Sequence, residues 1–140
     1  MTNWDSRFMD LASHVAAWSK DPSTQVGAVI VNDKRQVLGM GYNGFPRGVD
    51  DTHERYHNRD IKLLFVAHAE RNALDNTFAD SEGSTLYSTL FPCTDCAKGI
   101  IQRGIKRVVT SQPSDTQADR FNMSTSKIMF KEAGVELVLV

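Results

Sequence analysis

Cysteine is scarce in this chain, with two residues in 140. They stand at positions 93 and 96 and nowhere else, which suits a reducing cytoplasm and leaves no material for a disulfide framework. Long apolar runs are lacking too. None approaches the ~20 residues of a membrane span, so no membrane partner is expected. The opening Met1-Thr2-Asn3-Trp4-Asp5 carries no basic region and no apolar stretch, so no secretory leader is expected. A surplus of one charge is also missing: 16 basic residues face 17 acidic ones. That balance argues against a nucleic-acid surface, which needs net positive faces, and leaves room for a local basic pocket holding one nucleotide. There is no internal repeat, low-complexity tract or linker. Residues 1–140 read as a single domain, long enough for a real core.

Periodicity sets out the elements. Trp4, Phe8, Leu11, Val15 and Trp18 recur at three- and four-residue steps, which predicts an amphipathic helix over 3–19 with an aromatic stripe in the core. Lys20-Asp21-Pro22-Ser23 is a break. Residues 26–31 read as a buried strand, Asn32-Asp33-Lys34 as a hairpin turn, and 37–42 as the returning strand. Residues 45–59 read as a long polar loop and 61–79 as helical, with Ala67, His68 and Glu70 opening its second part. Strand 85–89, helix 94–103 stopped by Gly104, strand 106–110, polar loop 111–119, helix 120–133 stopped by Gly134, and strand 135–140 complete the chain. Five strands with helices between them predict an α/β fold, a three-layer α-β-α sandwich around a five-stranded mixed sheet. Ligands of such folds bind beyond the carboxyl ends of the strands.

The chemistry concentrates in His68-Ala69-Glu70 and Pro92-Cys93-Thr94-Asp95-Cys96. One imidazole and two thiols make three protein ligands, and a fourth open position is the mark of a catalytic zinc. Cys93 and Cys96 are three apart, on one face of a helical turn. Pro92 suits a helix start, whose positive dipole end favours thiolate. His68 lies far from them in sequence, so the site needs two helix starts to meet. Zinc lowers the pKa of a water from ~15.7 to ~7. Two thiolate ligands weaken that effect, and a carboxylate that takes the proton compensates. Glu70 is the only acid of the motif not needed as a ligand, so it is the candidate catalytic residue. The reaction class is hydrolytic deamination of an amidine-like carbon, as in cytosine. The His-Glu-x-x-His pattern of metallopeptidases is absent.

His-x-Glu followed by Pro-Cys-x-x-Cys resembles the signature of zinc nucleobase deaminases. The chain is similar, over nearly its whole length, to the cytidine and deoxycytidylate deaminase superfamily, and within it most to deoxycytidylate (dCMP) deaminases. The stretches that carry the likeness are Lys20-Asp21-Pro22-Ser23-Thr24-Gln25-Val26-Gly27-Ala28, Gly41-Tyr42-Asn43-Gly44-Phe45-Pro46-Arg47-Gly48, His68-Ala69-Glu70-Arg71-Asn72-Ala73 and Pro92-Cys93-Thr94-Asp95-Cys96-Ala97. The resemblance implies a cytidine-deaminase-like fold and one zinc per subunit on His68, Cys93 and Cys96. It implies proton shuttling by Glu70 and conversion of dCMP to dUMP and ammonia. Asn43 matches an asparagine that contacts the substrate sugar, Ser23 and Thr24 a loop at the substrate phosphate, and Ala69 a substrate-facing position. It further implies a cytoplasmic homo-oligomer, commonly a hexamer, activated by dCTP and inhibited by dTTP. The effector is expected between subunits near Gly41, Asn43, Gly44, Arg47 and Gly48. Some members hold a second, structural zinc with extra cysteines. This chain lacks them, so His53 and His57 read as surface residues. The competing readings are a deaminase of cytidine, dCTP or tRNA adenosine, and a non-catalytic zinc-stabilised nucleotide-binding module, for which Glu70 would be superfluous.

Overall fold

A computed structural model describes residues 2–113 and 122–140. Helix α1 (Asn3–Ala16) starts at a reciprocal cap: Thr2 Oγ1 accepts from Asp5 N and Asp5 Oδ2 accepts from Thr2 N, both at 3.0 Å. Its buried face carries Phe8, Ala12 and Val15. The aromatic stripe is only half right. Trp18 lies beyond the helix end and is 51% exposed, and Trp4 is 37% exposed, stacked on Phe8 with Arg7 over its ring.

Strands β1 (Gly27–Val31) and β2 (Val37–Tyr42) pair antiparallel. Asn32 makes their turn by accepting from Lys34 N and Gln36 N on Oδ1, while Arg35 takes a left-handed φ of 63°. With β3 (Thr85–Ser88), β4 (Arg107–Thr110) and β5 (Glu136–Leu139) they form one sheet in the order β2-β1-β3-β4-β5. β1 runs antiparallel to β3, and β3, β4 and β5 are parallel, so the sheet is mixed, as expected. Alternation divides the core. Val29, Val31, Tyr87 and Val109 face α1, while Ala28, Ile30, Leu86 and Val108 face α4 (Ala69–Asp75), α5 (Thr94–Gln102) and α6 (Met123–Glu132).

Two expectations fail between β2 and β3. The polar loop 45–59 contains a short helix, α2 (His53–His57), capped by Thr52 Oγ1 accepting from Arg55 N. The helix expected over 61–79 is two helices, α3 (Arg59–Phe65) and α4, and residues 76–79 are not helical. No glycine or proline marks the break. A bridge between strands of coil makes it: Gly44 N donates to Ala67 O and Ala67 N to Gly44 O, at 3.1 and 2.8 Å. That pairing holds 66–68 extended and turns a continuous apolar run into a new helix start at His68. The sequence-read helix 120–133 is present over Met123–Glu132, and residues 114–121 lie outside the described residues.

Candidate active site

The two helix starts meet. His68 is the N-cap residue of α4, with Glu70 in its first turn. Cys93 is the N-cap residue of α5, with Cys96 in its first turn. Neither cap uses its side chain to satisfy its own helix, so both side chains are free for a ligand. His68 Nδ1 lies 3.4 Å from each sulfur, and the three donor atoms lie within 4.8 Å of one another. A tetrahedral zinc about 2.3 Å from sulfur and about 2.0 Å from nitrogen sets S···N at about 3.5 Å, so the donor set fits that ion. Among the described residues no other group of His, Cys, Asp and Glu converges this way. His53 and His57 stack ring on ring at 3.6 Å on the exposed face of α2, with His57 Nδ1 against His53 O.

The electrostatics are those of a site built for a cation. Cys93 is held down to about 4, first by its hydrogen bond with Cys96 and then by His68, against the opposing effect of burial. Its partner Cys96 is pushed up by that same hydrogen bond and by burial. His68 is raised, chiefly by Cys93. Glu70 is 4% exposed and is raised by burial, although Ser88 and Cys96 bond to it. Ser88 Oγ stands 2.7 Å from Glu70 Oε1.

A pocket of about 170 Å³ opens onto this group. His68, Ala69, Glu70 and Cys93 line it. Ser23, Thr24 and Asn43 line it as well, and so do Arg59, Lys62, Phe91 and Met123. The expected substrate residues are thus gathered around the expected metal ligands. Asn43 is buried and its amide is occupied: Oδ1 accepts from Val26 N at 2.8 Å and Nδ2 donates to Thr24 O at 2.9 Å.

Sequence reasoning missed the residues that hold this wall. Asp21, read as part of a break, accepts from Ser23 N and Thr24 N on Oδ1, and Asn43 Nδ2 approaches its Oδ2. Lys62 Nζ reaches the same Oδ1 from α3. Asp before Pro-Ser is a turn signal that pointed to the first two bonds. The lysine, 41 residues away, had no local signal. Arg59, Ser88 and Met123 were missed as well.

The segment expected to meet an effector is split by burial. Gly41 is buried, and a Cβ on it would run into the α4 backbone at Ala73 N and Ala69 O, so glycine is needed there for packing. Gly44 forms the bridge to Ala67. Arg47 is exposed, with Nη2 donating to Asn76 Oδ1 at 2.8 Å, and Gly48 is exposed with a φ of 82°.

Residues 2–112 match the model of the cytidine and deoxycytidylate deaminase zinc-binding region. The chain belongs to that deaminase family. It is 44% identical over 138 residues to mouse deoxycytidylate deaminase, covering 94% of this chain and 76% of the mouse protein. It is 42% identical over 139 residues to an uncharacterized deaminase from the luxG 3' region of Aliivibrio fischeri, covering 98% and 93%. The dCMP deaminase of cyanophage S-TIM5, solved in complex with dCMP and dUMP, superposes with a TM-score of 0.80 at 27% identity, covering 100% and 99% of the two chains. The deaminase reading of the motifs and the five-stranded mixed sheet both stand. Among the described residues no helix is long and apolar enough to cross a membrane.

Proposed function

We propose that this deaminase converts dCMP and water to dUMP and ammonia, with His68, Cys93 and Cys96 holding one zinc per chain and Glu70 moving the protons. The observation that carries the reading is a buried carboxylate, Glu70, lining a pocket of about 170 Å³ beside a three-donor metal set. Its substrate is supported by the deoxycytidylate deaminases among its relatives and by the phage enzyme's complex.

When bound, zinc supplies an acidified water in the pocket. Glu70 accepts a proton on its carboxylate, delivers it to N3 of the cytosine ring, and carries the next proton to the amino group as ammonia leaves. Burial raises the pKa of Glu70, which strengthens it as the base that takes the first proton. Phe91, Leu90 and Met123 supply the apolar surface that shields these transfers from bulk water. Asn43, Ser23, Thr24 and Ala69 face the sugar and phosphate end of the ligand. We further infer a cytoplasmic homohexamer activated by dCTP and inhibited by dTTP. The family resemblance supports the assembly and its effectors, the free thiols the compartment, and the exposed Arg47 an effector contact.

Ammonia release from dCMP, CMP, dCTP and deoxycytidine tests the reading. The expected order puts dCMP first. Turnover of deoxycytidine equal to that of dCMP would replace the nucleotide reading with a nucleoside one.

A further inference from the structure

Glu70 is touched by the hydroxyl of Ser88, and nothing in the motifs accounts for it. Ser88 is the last residue of β3, two positions from Leu86, so its side chain points to the same face of the sheet, into the apolar layer beneath α4 and α5. It has no exposed surface. A hydroxyl in such a layer carries a desolvation cost unless it is bonded. Ser88 Oγ lies 2.7 Å from Glu70 Oε1 and 2.8 Å from Leu90 O. Leu90 opens the short segment that runs into Pro92 and Cys93. One hydroxyl therefore sits between the carboxylate of α4 and the backbone that delivers the first thiol. Ser88 does not line the pocket, so it does not meet the ligand. Its other neighbours along the ladder, Ala28 and Thr110, are backbone pairs in the sheet.

We propose that Ser88 is a positioning residue for catalysis: its single hydroxyl proton, within reach of both acceptors, is given to Oε1 of Glu70 when that carboxylate is ionised, and so aims the other carboxylate oxygen into the pocket. This rests on the role proposed for Glu70. A carboxylate without such a tether keeps several rotamers, and a proton carrier works only within hydrogen-bond reach of the atoms it serves. Partners that orient a working side chain without touching substrate are worth ~10- to 100-fold in activity.

The test compares Ser88→Ala and Ser88→Thr with the wild-type zinc protein and with Glu70→Gln. Metal content, kcat and KM for dCMP, and ligand-free crystal structures are measured. Ser88→Ala should keep its zinc and its KM, lose ~10- to 100-fold in kcat, and show the Glu70 carboxylate displaced from its wild-type position. Ser88→Thr, which keeps the hydroxyl, should restore kcat to within a few-fold. Three results would overturn the proposal: an alanine variant with kcat within twofold of wild type, an unmoved Glu70, or a loss of zinc that accounts for the lost turnover. If the threonine variant fails to fold, the alanine variant decides alone. The crystallographic arm does not depend on turnover. Wild-type protein that releases no ammonia would remove the proposed reaction, while the Glu70 position in Ser88→Ala would still report whether the hydroxyl holds it.

Discussion

Asp21 and Lys62 form an ion pair of 3.2 Å in the wall of the pocket, with side chains only 4% and 8% exposed. The two ends of the pair are not equivalent. Asp21 has three further donors in Ser23 N, Thr24 N and Asn43 Nδ2, whereas Lys62 has Asp21 alone among the described residues. Removing the aspartate strands a buried ammonium and unfastens the 21–24 turn. Removing the lysine leaves a carboxylate still bonded to the turn. Asp21→Ala should therefore cost ~3–5 kcal/mol, the usual penalty for orphaning a buried charge, and Lys62→Met clearly less. Urea unfolding of the two variants checks this. Equal losses would mean that the turn bonds contribute nothing beyond the ion pair.

The proposed metal centre makes paired expectations. Cys93→Ala and Cys96→Ala should each lose zinc and much of the folded stability, because ligand binding and folding are coupled at such sites. Glu70→Gln should keep both and lose ~10²- to 10⁴-fold in turnover, since the amide fills the same space and carries no proton. Metal analysis beside ammonia release separates the cases. A glutamine variant retaining a tenth of wild-type turnover would take Glu70 out of the role given to it here.

The candidate metal site was readable in the sequence because its parts are local and chemically rare. His-x-Glu and Pro-Cys-x-x-Cys each sit within one helical turn, and helix starts are marked by short-range signals. The five strands were equally plain from alternation and runs of β-branched residues. The errors lie where distant contacts overrule local pattern. The apolar run 63–67 reads as part of one helix until Gly44 pairs with Ala67. Trp18 keeps the helical spacing of the stripe, yet the helix ends at Ala16 and the ring meets Tyr42 edge-on at the surface. Gly41, expected near an effector, has a packing role that only the fold shows: it is the point where β2 meets α4. Lys62 and Ser88 are invisible for the same reason: each is explained only by a residue far off in the chain.

On the other side of the sheet, Asp5 ties α1 to β3 and β4. Arg107 grips it with Nη1 on Oδ1 and Nη2 on Oδ2, at 2.8 and 2.7 Å, and Tyr87 OH donates to Oδ1 at 2.7 Å. Arg107 first of all, then Tyr87 and the Thr2 backbone, hold the Asp5 carboxyl well below the usual carboxylate range, against the opposing effect of burial. A group with a depressed folded pKa contributes its stability above the unfolded value, ~3.9 for Asp, and loses it as pH falls from there toward the folded one. Asp5→Asn should therefore be destabilised at pH 7, toward the lower end of ~3–5 kcal/mol because Arg107 keeps some solvent contact. The gap between variant and wild type should narrow steadily below about pH 4. Thermal unfolding from about pH 2.5 to about pH 7, on both sides of that ~3.9 value, would show it. A gap that stays constant with pH would mean that the asparagine retains what matters, the hydrogen bonds and not the charge.

Regulation is the finest of the proposals, and the geometry says which residues can test it. Gly41 cannot, because Gly41→Ala drives a methyl into α4 and should damage folding and activity together. Arg47 can. It is exposed and, among the described residues, it is not in the lining of the candidate pocket and its side chain bonds to Asn76 Oδ1 at the surface. A guanidinium there offers a triphosphate a bidentate contact. If that effector biases two states of the assembly, the coupling should fall in the ~1–3 kcal/mol range usual for allosteric pairs. Then dCTP should raise the apparent affinity for dCMP and dTTP should lower it. Arg47→Ala should blunt both responses while leaving turnover at saturating dCMP near wild type. Hyperbolic dCMP kinetics unmoved by either triphosphate would leave an unregulated deaminase, and Arg47 would then be a surface residue paired with Asn76 and nothing more.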